Sequence, residues 1–312
     1  MNAIKTILAQ YDIGQIQTAT ELKAGAENTN YQVKTTAGDF VVRVYNKLHS
    51  ARGERSAMQI QQEMAFMIQA RQAGISAPTI MPTCDDDLFS TVMLNDETRF
   101  VAVFSLMAGV SPIVHTPQTA TEIGKVVNQL YSVSASLATD SETMVYDFLT
   151  RSDSAYDALV ASGVPIPQAM IDLHTALSAK RATLNFDSFA KGWVHCDLKL
   201  SNLLFDNQQR LTAVLDFDDF RYSYIIEDTV MALMHHLHDT GENLLRAGYY
   251  DVFVAQLTHP SLQAEIAHLP YVLGVRLSQD MASYLTAGLD ALVAELLDDT
   301  QIQQHIFAHY TP

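Results

Sequence analysis

Between Thr18 and Tyr45 the chain carries short runs rich in β-branched and aromatic residues, NYQVKTT and FVVRVY, parted by the polar turn residues Ala37-Gly38-Asp39. The pattern predicts an antiparallel hairpin with its turn at Gly38. From Arg55 to Gly74 the period changes, and Ile60, Met64, Ala65, Met67 and Ile68 mark one face of a helix that Gly74 and the following SAP bring to an end. LFSTVML and FVAVFSLM predict two more strands around Asn95-Asp96-Glu97. Past Ala108-Gly109 the pattern is mainly helical. It predicts helices over Pro117 to Leu137 with Thr116 as N-cap, over Gln168 to Leu184, and over most of the chain from Tyr224 onward. Two short strands, SNLLF and LTAVLDF, interrupt this stretch, with Asp206-Asn207-Gln208-Gln209 as the turn between them.

These elements predict an α+β chain of two lobes: a small antiparallel β lobe with one helix over residues 1–107, and a larger α-rich lobe over residues 108–312. With 312 residues and 48% hydrophobic content, the chain can bury the core that two lobes require. Its 35 acidic and 19 basic residues give a formal charge of -16, which repels nucleic acid and anionic membrane surfaces, and no basic patch offsets it. The only cysteines are Cys84 and Cys196, and the opening MNAIKTILAQYDIGQ has no charged-then-apolar leader pattern. No apolar run approaches the roughly 20 residues of a membrane helix. A soluble protein of the reduced cytoplasm is the expectation.

The chemistry is concentrated in one stretch, VHCDLKLSNLLFD, from Val194 to Asp206. Asp197 lies five positions before Asn202 and two after His195, the H-x-D-x-x-x-x-N spacing that sets a carboxylate at an acceptor hydroxyl and an amide at a metal ion. Fourteen residues beyond Asn202, at the end of the next strand, Leu215-Asp216-Phe217-Asp218-Asp219 offers Asp216 as a second metal ligand. Phosphoryl transfer asks for this combination, because its catalysis is mostly positioning and charge neutralisation. A plain turn accounts for Asp197 and Asn202 singly, but it does not require His195, the five-residue step and the acidic strand end together.

VHCDLKLSNLLFD followed by AVLDFDD resembles the aminoglycoside phosphotransferase and choline kinase superfamily of small-molecule kinases, whose members carry an H-G-D-L-H-P-x-N loop and an I-D-F-x-D strand. Ala24-Gly25-Ala26-Glu27-Asn28-Thr29-Asn30-Tyr31 is similar to the G-x-E-N-x-N-Y segment of its homoserine kinase branch. The similarity runs from about Glu21 to about Leu237.

The resemblance implies a protein-kinase-like bilobal fold with ATP and Mg2+ between the lobes and a small-molecule acceptor, an amino alcohol of the homoserine or choline type ahead of an aminoglycoside or sugar. It makes Asp197 the catalytic base and Asn202 and Asp216 the metal ligands. The turn from Gly25 to Asn30 becomes the phosphate cover, with Asn28, Thr29 and Asn30 offering backbone N–H groups and short side chains. Arg43 in FVVRVY stands where protein kinases carry a lysine, and a guanidinium bridges phosphate oxygens bidentately. Its expected partner is Glu63, with Glu54 second. Phe104-Ser105-Leu106-Met107 becomes the hinge, where Ser105 and Met107 read the adenine edge between Val41 and Leu204.

Three positions depart from the family pattern: Cys196 stands in place of Gly, Lys199 in place of His, and Leu200 in place of Pro. Lys199 in this loop is a protein-kinase feature and is expected to contact the transferred phosphate; Cys196 reads as a buried small side chain. Asp218 and Asp219 read as a solvated acidic pair with an auxiliary role at most. Asp228 is expected to steady the catalytic loop or cap the helix that follows. His235, His236 and His238 form a weak metal pattern, since on a helix only His235 and His238 share a face. A protein Ser/Thr kinase and a non-catalytic nucleotide-binding regulator are the competing readings. The lack of G-x-G-x-x-G, of a V-A-I-K lysine and of A-P-E counts against the first, and the presence of Asp197 and Asp216 against the second.

Overall fold

The computed structural model describes residues 2–22, 28–46, 56–94, 96–112, 116–137, 146–235 and 248–310. The predicted tip at Gly25 to Glu27, the alternative partner Glu54, the turn residue Asn95, and His236 and His238 lie outside these residues. In chain order the first elements are α1 (Asn2–Leu8), β1 (Ile16–Leu22), β2 (Thr29–Thr35), β3 (Asp39–Val44), α2 (Ala57–Gln72), β4 (Ile80–Met81), β5 (Ser90–Leu94) and β6 (Glu97–Ser105). Then come α3 (Pro117–Ser136), α4 (Phe148–Ser162), α5 (Gln168–Arg181), β7 (Lys191–Val194), β8 (Leu203–Phe205), β9 (Leu211–Val214) and β10 (Arg221–Tyr224). The last helices are α6 (Ile226–His235), α7 (Tyr249–Val254), α8 (Pro260–Ile266), α9 (Leu269–Thr286), α10 (Asp290–Asp298) and α11 (Thr300–His305).

The chain divides into two compact units: Met1–Gly109 with Thr212–Asp218, and Val110–Leu211 with Asp219–Pro312. The first contains an antiparallel sheet of order β1-β2-β3-β6-β4, with β5 also paired to β6. The predicted turn at Gly38 joins β2 to β3, closed by the Thr35 N–H donating to the Gly38 carbonyl at 2.9 Å. Strand alternation sends Val33, Val42, Val44, Val101 and Val103 to one face, where Ile4, Ile7 and Leu8 of α1 cover them. That first helix has no counterpart in the sequence expectation, because its short polar opening shows too little periodicity. Ala102 and Phe104 are buried as well, so β6 is covered on both faces. Ser56 caps α2 and forms a capping box with Gln59, which starts the helix two residues later than the hydrophobic pattern alone predicts. The α2 face that packs inward carries Ile60, Met64, Phe66 and Met67 together with a buried glutamate, Glu63.

The return segment 212–218 belongs to the first unit, whereas a single boundary at residue 107 leaves it in the second. The Val214 N–H donates to the Ser76 carbonyl at 2.8 Å, the Thr212 hydroxyl donates to the Ala108 carbonyl at 2.7 Å, and Phe217 meets Phe66 edge to face at 5.8 Å. Asp216 and Asp218 are thereby carried into the unit that holds Arg43.

In the second unit Thr116 caps α3 as predicted, with Pro117 in the first turn. Two strands absent from the sequence expectation, β7 and β10, pair antiparallel, with Trp193 opposite Tyr222 and Gly192 opposite Ser223. At four residues each, they are too short for alternation to stand out. A Cβ at Gly192 would lie 2.6 Å from the Ser134 carbonyl oxygen, so glycine is what lets β7 lie against α3. Strand β7 delivers the chain directly to His195, and α6 carries Asp228.

Candidate active site

In the first unit carboxylates gather around Arg43. Arg43 Nη2 donates to Asp216 Oδ1 at 2.9 Å, while Nη1 lies 3.7 Å from Asp218 Oδ2 and 3.8 Å from Glu63 Oε1. Arg43 Nε donates to Asn30 Oδ1 at 3.2 Å, which fixes the plane of the guanidinium. Burial opposes its charge, but Asp216 and then Asp218 outweigh that cost and hold its pKa above the ordinary arginine value. The expected Arg43–Glu63 pair is therefore present as the longest of three ionic contacts. Glu63 is fully buried and also accepts from the Tyr45 hydroxyl at 3.2 Å.

Asp218 is 8% exposed, so the expectation of a solvated acid does not hold for it. Asn28 Nδ2 donates to Asp218 Oδ2 at 2.6 Å, and Asn28 Oδ1 accepts from the Asn46 N–H at 3.4 Å. Asn46 Nδ2 in turn donates to Thr29 Oγ1 at 3.1 Å. Asn28, Thr29 and Asn30 thus supply side chains to the charged cluster and its margin. The backbones of Thr29 and Asn30 run inside β2, with Asn30 paired to Leu22 on one side and to Arg43 on the other. For Asn30, paired on both sides, the backbone N–H lies within the ladder and not in a phosphate cover, whereas Thr29 pairs on one side only, with Val44.

At the end of β6 the Ser105 N–H donates to the Thr79 carbonyl at 2.8 Å, and the Leu106 N–H donates to the Asp39 carbonyl at 3.1 Å. Ser105 Oγ accepts from the Thr79 N–H at 2.8 Å and donates to Met107 Sδ at 3.7 Å. The expected adenine-reading role for the Ser105 N–H is corrected, since that donor already has a backbone partner. Among the described residues the first N–H beyond the strand without one belongs to Met107. Val41 is half-buried on β3.

In the second unit the loop after β7 is held from below by a carboxylate. Asp228 Oδ2 accepts from the His195 N–H at 2.9 Å and Oδ1 accepts from the Cys196 N–H at 2.7 Å. Asp228 is 1% exposed, and burial raises its pKa above the ordinary carboxyl value against the pull of His195 and the two backbone donors. His195 Nδ1 accepts from the Asp197 N–H at 3.2 Å, which requires that ring nitrogen to be unprotonated. Asp197 Oδ2 accepts from Asn202 Nδ2 at 2.7 Å and pairs with Lys199 Nζ at 3.0 Å. Asn202 Nδ2 also donates to the Asp197 carbonyl at 3.0 Å, so the five-residue spacing closes on itself.

Cys196 has φ of 64°, a left-handed conformation that favours glycine, and it is buried. Burial, and then Glu227, push its thiol well above the ordinary pKa, so it is an uncharged packing group. Asp216 has φ of 62°. Arg221 forms a buried pair with Glu227 and lies over the Tyr146 ring at 3.9 Å. Sequence reasoning passed over this pair and Asn46, for none of them falls in a recognisable spacing. Leu204 is half-buried on β8, between the buried Leu203 and Phe205.

Each unit carries an oxygen able to ligate a divalent cation. Asn202 uses only its Nδ2, leaving Oδ1, the end of the amide able to ligate, with no protein donor among the described residues. Asp216 is 32% exposed at its side chain and uses only Oδ1 toward Arg43. Among the described residues no three His, Cys, Asp or Glu side chains group as a cation site. No helix among the described residues is long and apolar enough to cross a membrane.

Residues 18–262 match the sequence profile of the phosphotransferase enzyme family. Curated relatives include a homoserine kinase of Parvibaculum lavamentivorans, 25% identical over 72% of this chain, and one of Gluconobacter oxydans, 24% identical over 69%. The aligned stretches span 67% and 64% of those relatives' own length. Among solved structures, an amicoumacin kinase crystallised with AMP-PNP and Ca2+ superposes with a TM-score of 0.67 at 18% identity, covering 96% of this chain and 93% of that one. A microcompartment-associated aminopropanol kinase gives 0.63 at 19%, covering 95% and 97%. A spectinomycin phosphotransferase gives 0.69 at 14%, covering 98% of both chains. These likenesses establish the kinase-like α+β fold. With the family match extending over well more than half of its length, the chain belongs to the phosphotransferase enzyme family.

Proposed function

We propose that this protein transfers the γ-phosphoryl group of ATP, with Mg2+, to the hydroxyl of a small amino alcohol of the homoserine or choline type. The observation that carries the reading is the closed loop from His195 to Asn202, in which Asn202 Nδ2 and Lys199 Nζ hold Asp197 Oδ2 at 2.7 and 3.0 Å. A carboxylate fixed in this way can orient an acceptor hydroxyl and take its proton as the oxygen bonds to phosphorus and the bond to ADP breaks. Asn202 and Asp216 are the proposed metal ligands, and the bound cation supplies charge neutralisation on the phosphates. Arg43, aligned by Asn30 and Glu63, serves the phosphates in the first unit, with Asn28 and Thr29 holding the margin of its cluster. Met107 donates to the adenine edge, next to Ser105, and Leu204 and Val41 provide apolar cover for the base.

Lys199 has a second role available. Paired with Asp197 before the acceptor arrives, it offers its ammonium to the transferred phosphate once the carboxylate takes up the substrate proton. The names of the curated relatives and of the aminopropanol kinase support an amino alcohol over a sugar. The test is ATP consumption across amino alcohols, sugars, aminoglycosides and a generic protein substrate. Turnover with an amino alcohol that collapses in Asp197→Asn is the expected result. Turnover with the protein substrate alone would favour the competing protein-kinase reading.

A further inference from the structure

The strand that leads into the catalytic loop is a short one. β7 has four residues and pairs only with β10, so no broad sheet fixes where it delivers His195 and Asp197. Side chains hold it instead. At its C-terminal end Asp228 accepts from the His195 and Cys196 N–H groups. At its N-terminal end a second buried carboxylate does the same, for Glu265 Oε1 on α8 accepts from the Ala190 N–H at 2.7 Å. The Ala190 carbonyl accepts from the Ile225 N–H at 2.9 Å, immediately before α6, the helix that carries Asp228. Ala190 is therefore held through both of its backbone polar groups.

Glu265 is 6% exposed and has no ion-pair partner among the described residues. Burial raises its pKa above the ordinary carboxyl value against the two donors to Oε1, and Oε2 has no protein partner among the described residues. A carboxyl group buried in this way costs stability, and packing alone would be better served by an apolar side chain. Its aim is set by α3. The Tyr131 hydroxyl donates to Glu265 Oε1 at 3.2 Å, and Asn128 Oδ1 accepts from the Thr258 and His259 N–H groups at 2.8 and 2.7 Å, just ahead of α8. Ser134 Oγ donates to the Trp193 carbonyl within β7. Residues 128, 131 and 134 share one face of α3, so a single helix orients both Glu265 and the strand that it holds.

We infer that Glu265 is a positioning residue for phosphoryl transfer: by holding Ala190 it fixes the root of β7, and with it the place of Asp197 against the acceptor hydroxyl. It acts through the backbone, since Ala190 stands seven positions before Asp197. The role depends on the reach of the side chain to Ala190 and not on its charge. This rests on the reading of Asp197 as the base. A catalytic group displaced by about 1 Å can lose about 10²-fold in rate.

Two substitutions in the full chain separate reach from charge. Glu265→Gln keeps the length and an oxygen that can accept from Ala190 and Tyr131, whereas Glu265→Asp keeps the charge on a side chain one methylene shorter. In steady-state ADP release with the acceptor that supports turnover, Glu265→Gln should stay within about threefold of wild-type kcat and Glu265→Asp should lose about tenfold. Both KM values should stay within about twofold, at a temperature where circular dichroism shows each variant folded. In an Asp197→Asn background, Glu265→Asp should cost less than about twofold more, because the base that it positions is gone. A purely structural role lowers the thermal midpoint and leaves the kcat of the folded enzyme unchanged. Wild-type kcat in folded Glu265→Asp, a greater loss in Glu265→Gln than in Glu265→Asp, or an undiminished loss in the Asp197→Asn background each overturns the inference and leaves the proposed activity standing. Absence of turnover with every acceptor overturns the proposed activity instead, and hydrogen exchange then decides the anchoring of β7 by itself. Faster exchange of amides 191–197 in Glu265→Asp than in wild type and Glu265→Gln is the expected result, and equal exchange in all three removes the inference.

Discussion

Two charged regions of this molecule solve opposite electrostatic problems. Around Arg43 one guanidinium faces the three carboxylates Asp216, Asp218 and Glu63. Around residues 195–202 the carboxylate Asp228 faces two backbone N–H groups, and the second carboxylate, Asp197, faces an amide and an ammonium. The first region gathers carboxylates around an arginine and suits an incoming metal with phosphates. In the second, Asp228 and Asp197 accept from donors that hold them in place, which suits a fixed geometry. Charge is gathered in one and geometry is locked in the other.

The sharpest way to break that contrast is at the base. Asp197→Asn keeps the size of the side chain and loses its proton affinity. The expected result is a drop in kcat of about 10²–10⁴-fold with little change in KM for ATP, measured by steady-state ADP release. An activity within threefold of wild type removes Asp197 from the chemistry.

Next in size is the cation. Arg43→Ala removes the guanidinium that Asp216, Asp218 and the fully buried Glu63 share, a loss on the order of 3–5 kcal/mol when a buried pair is broken from one side. Urea unfolding measures it, and Arg43→Lys should recover part of the stability while weakening ATP binding, because a point charge cannot span Asn30, Asp216 and Asp218 together. Equal stability of the Ala and wild-type proteins is the result that contradicts the picture of Arg43 as an organising cation.

The support beneath the loop comes third. Asp228→Asn can still accept one of the two backbone hydrogen bonds, so the cost at neutral pH should be about 1–3 kcal/mol, offset by the lower cost of burying a neutral group. The pH dependence separates the two contributions. Because the Asp228 pKa is raised on folding, the folded state binds the proton more tightly than the unfolded chain, and stability is lost as pH rises from the ordinary carboxyl value of 3.8 through the raised one. The stability of wild type relative to Asp228→Asn should therefore be greatest at low pH and fall across that window in urea titrations at stepped pH. A rising difference means that the backbone donors outweigh burial.

Cys196 gives the smallest effect. Its φ of 64° costs a non-glycine residue roughly 1–2 kcal/mol, while glycine forfeits a buried side chain and chain entropy of similar size. Cys196→Gly should stay within about 1 kcal/mol of wild type, whereas Cys196→Val, β-branched in the same conformation, should lose about 2 kcal/mol or more. Differential scanning calorimetry of the pair decides it.

Much of this was legible in the chain. The β2–β3 hairpin, α2, β5 with β6, and α3 with its Thr116 cap follow from alternation, helical periodicity and end signals, which are local properties. The H-x-D-x-x-x-x-N spacing was readable because the loop closes on itself, with Asn202 bonding back to Asp197 across five residues. Asp218 was misread as solvated because nothing within a few residues of it shows that Asn28, 190 positions earlier, donates to it. Strands β7 and β10 were missed for a related reason: four-residue strands owe their existence to a partner 27 or more residues away.

The sequence by itself determined the two-lobed α+β pattern, the family and the residues whose chemistry suits phosphoryl transfer, because periodicity and motif spacing are written along the chain. Only the tertiary structure decided which partner each charge meets. It set Arg43 nearest Asp216 with Glu63 at greater distance, made Thr29 and Asn30 ladder residues, and left Met107 with the first N–H after β6 that has no backbone partner among the described residues. The physical reason is range: a secondary-structure signal is complete within a turn or two of backbone, whereas an ion pair or a buried hydrogen bond exists only when distant segments are brought within about 3–4 Å.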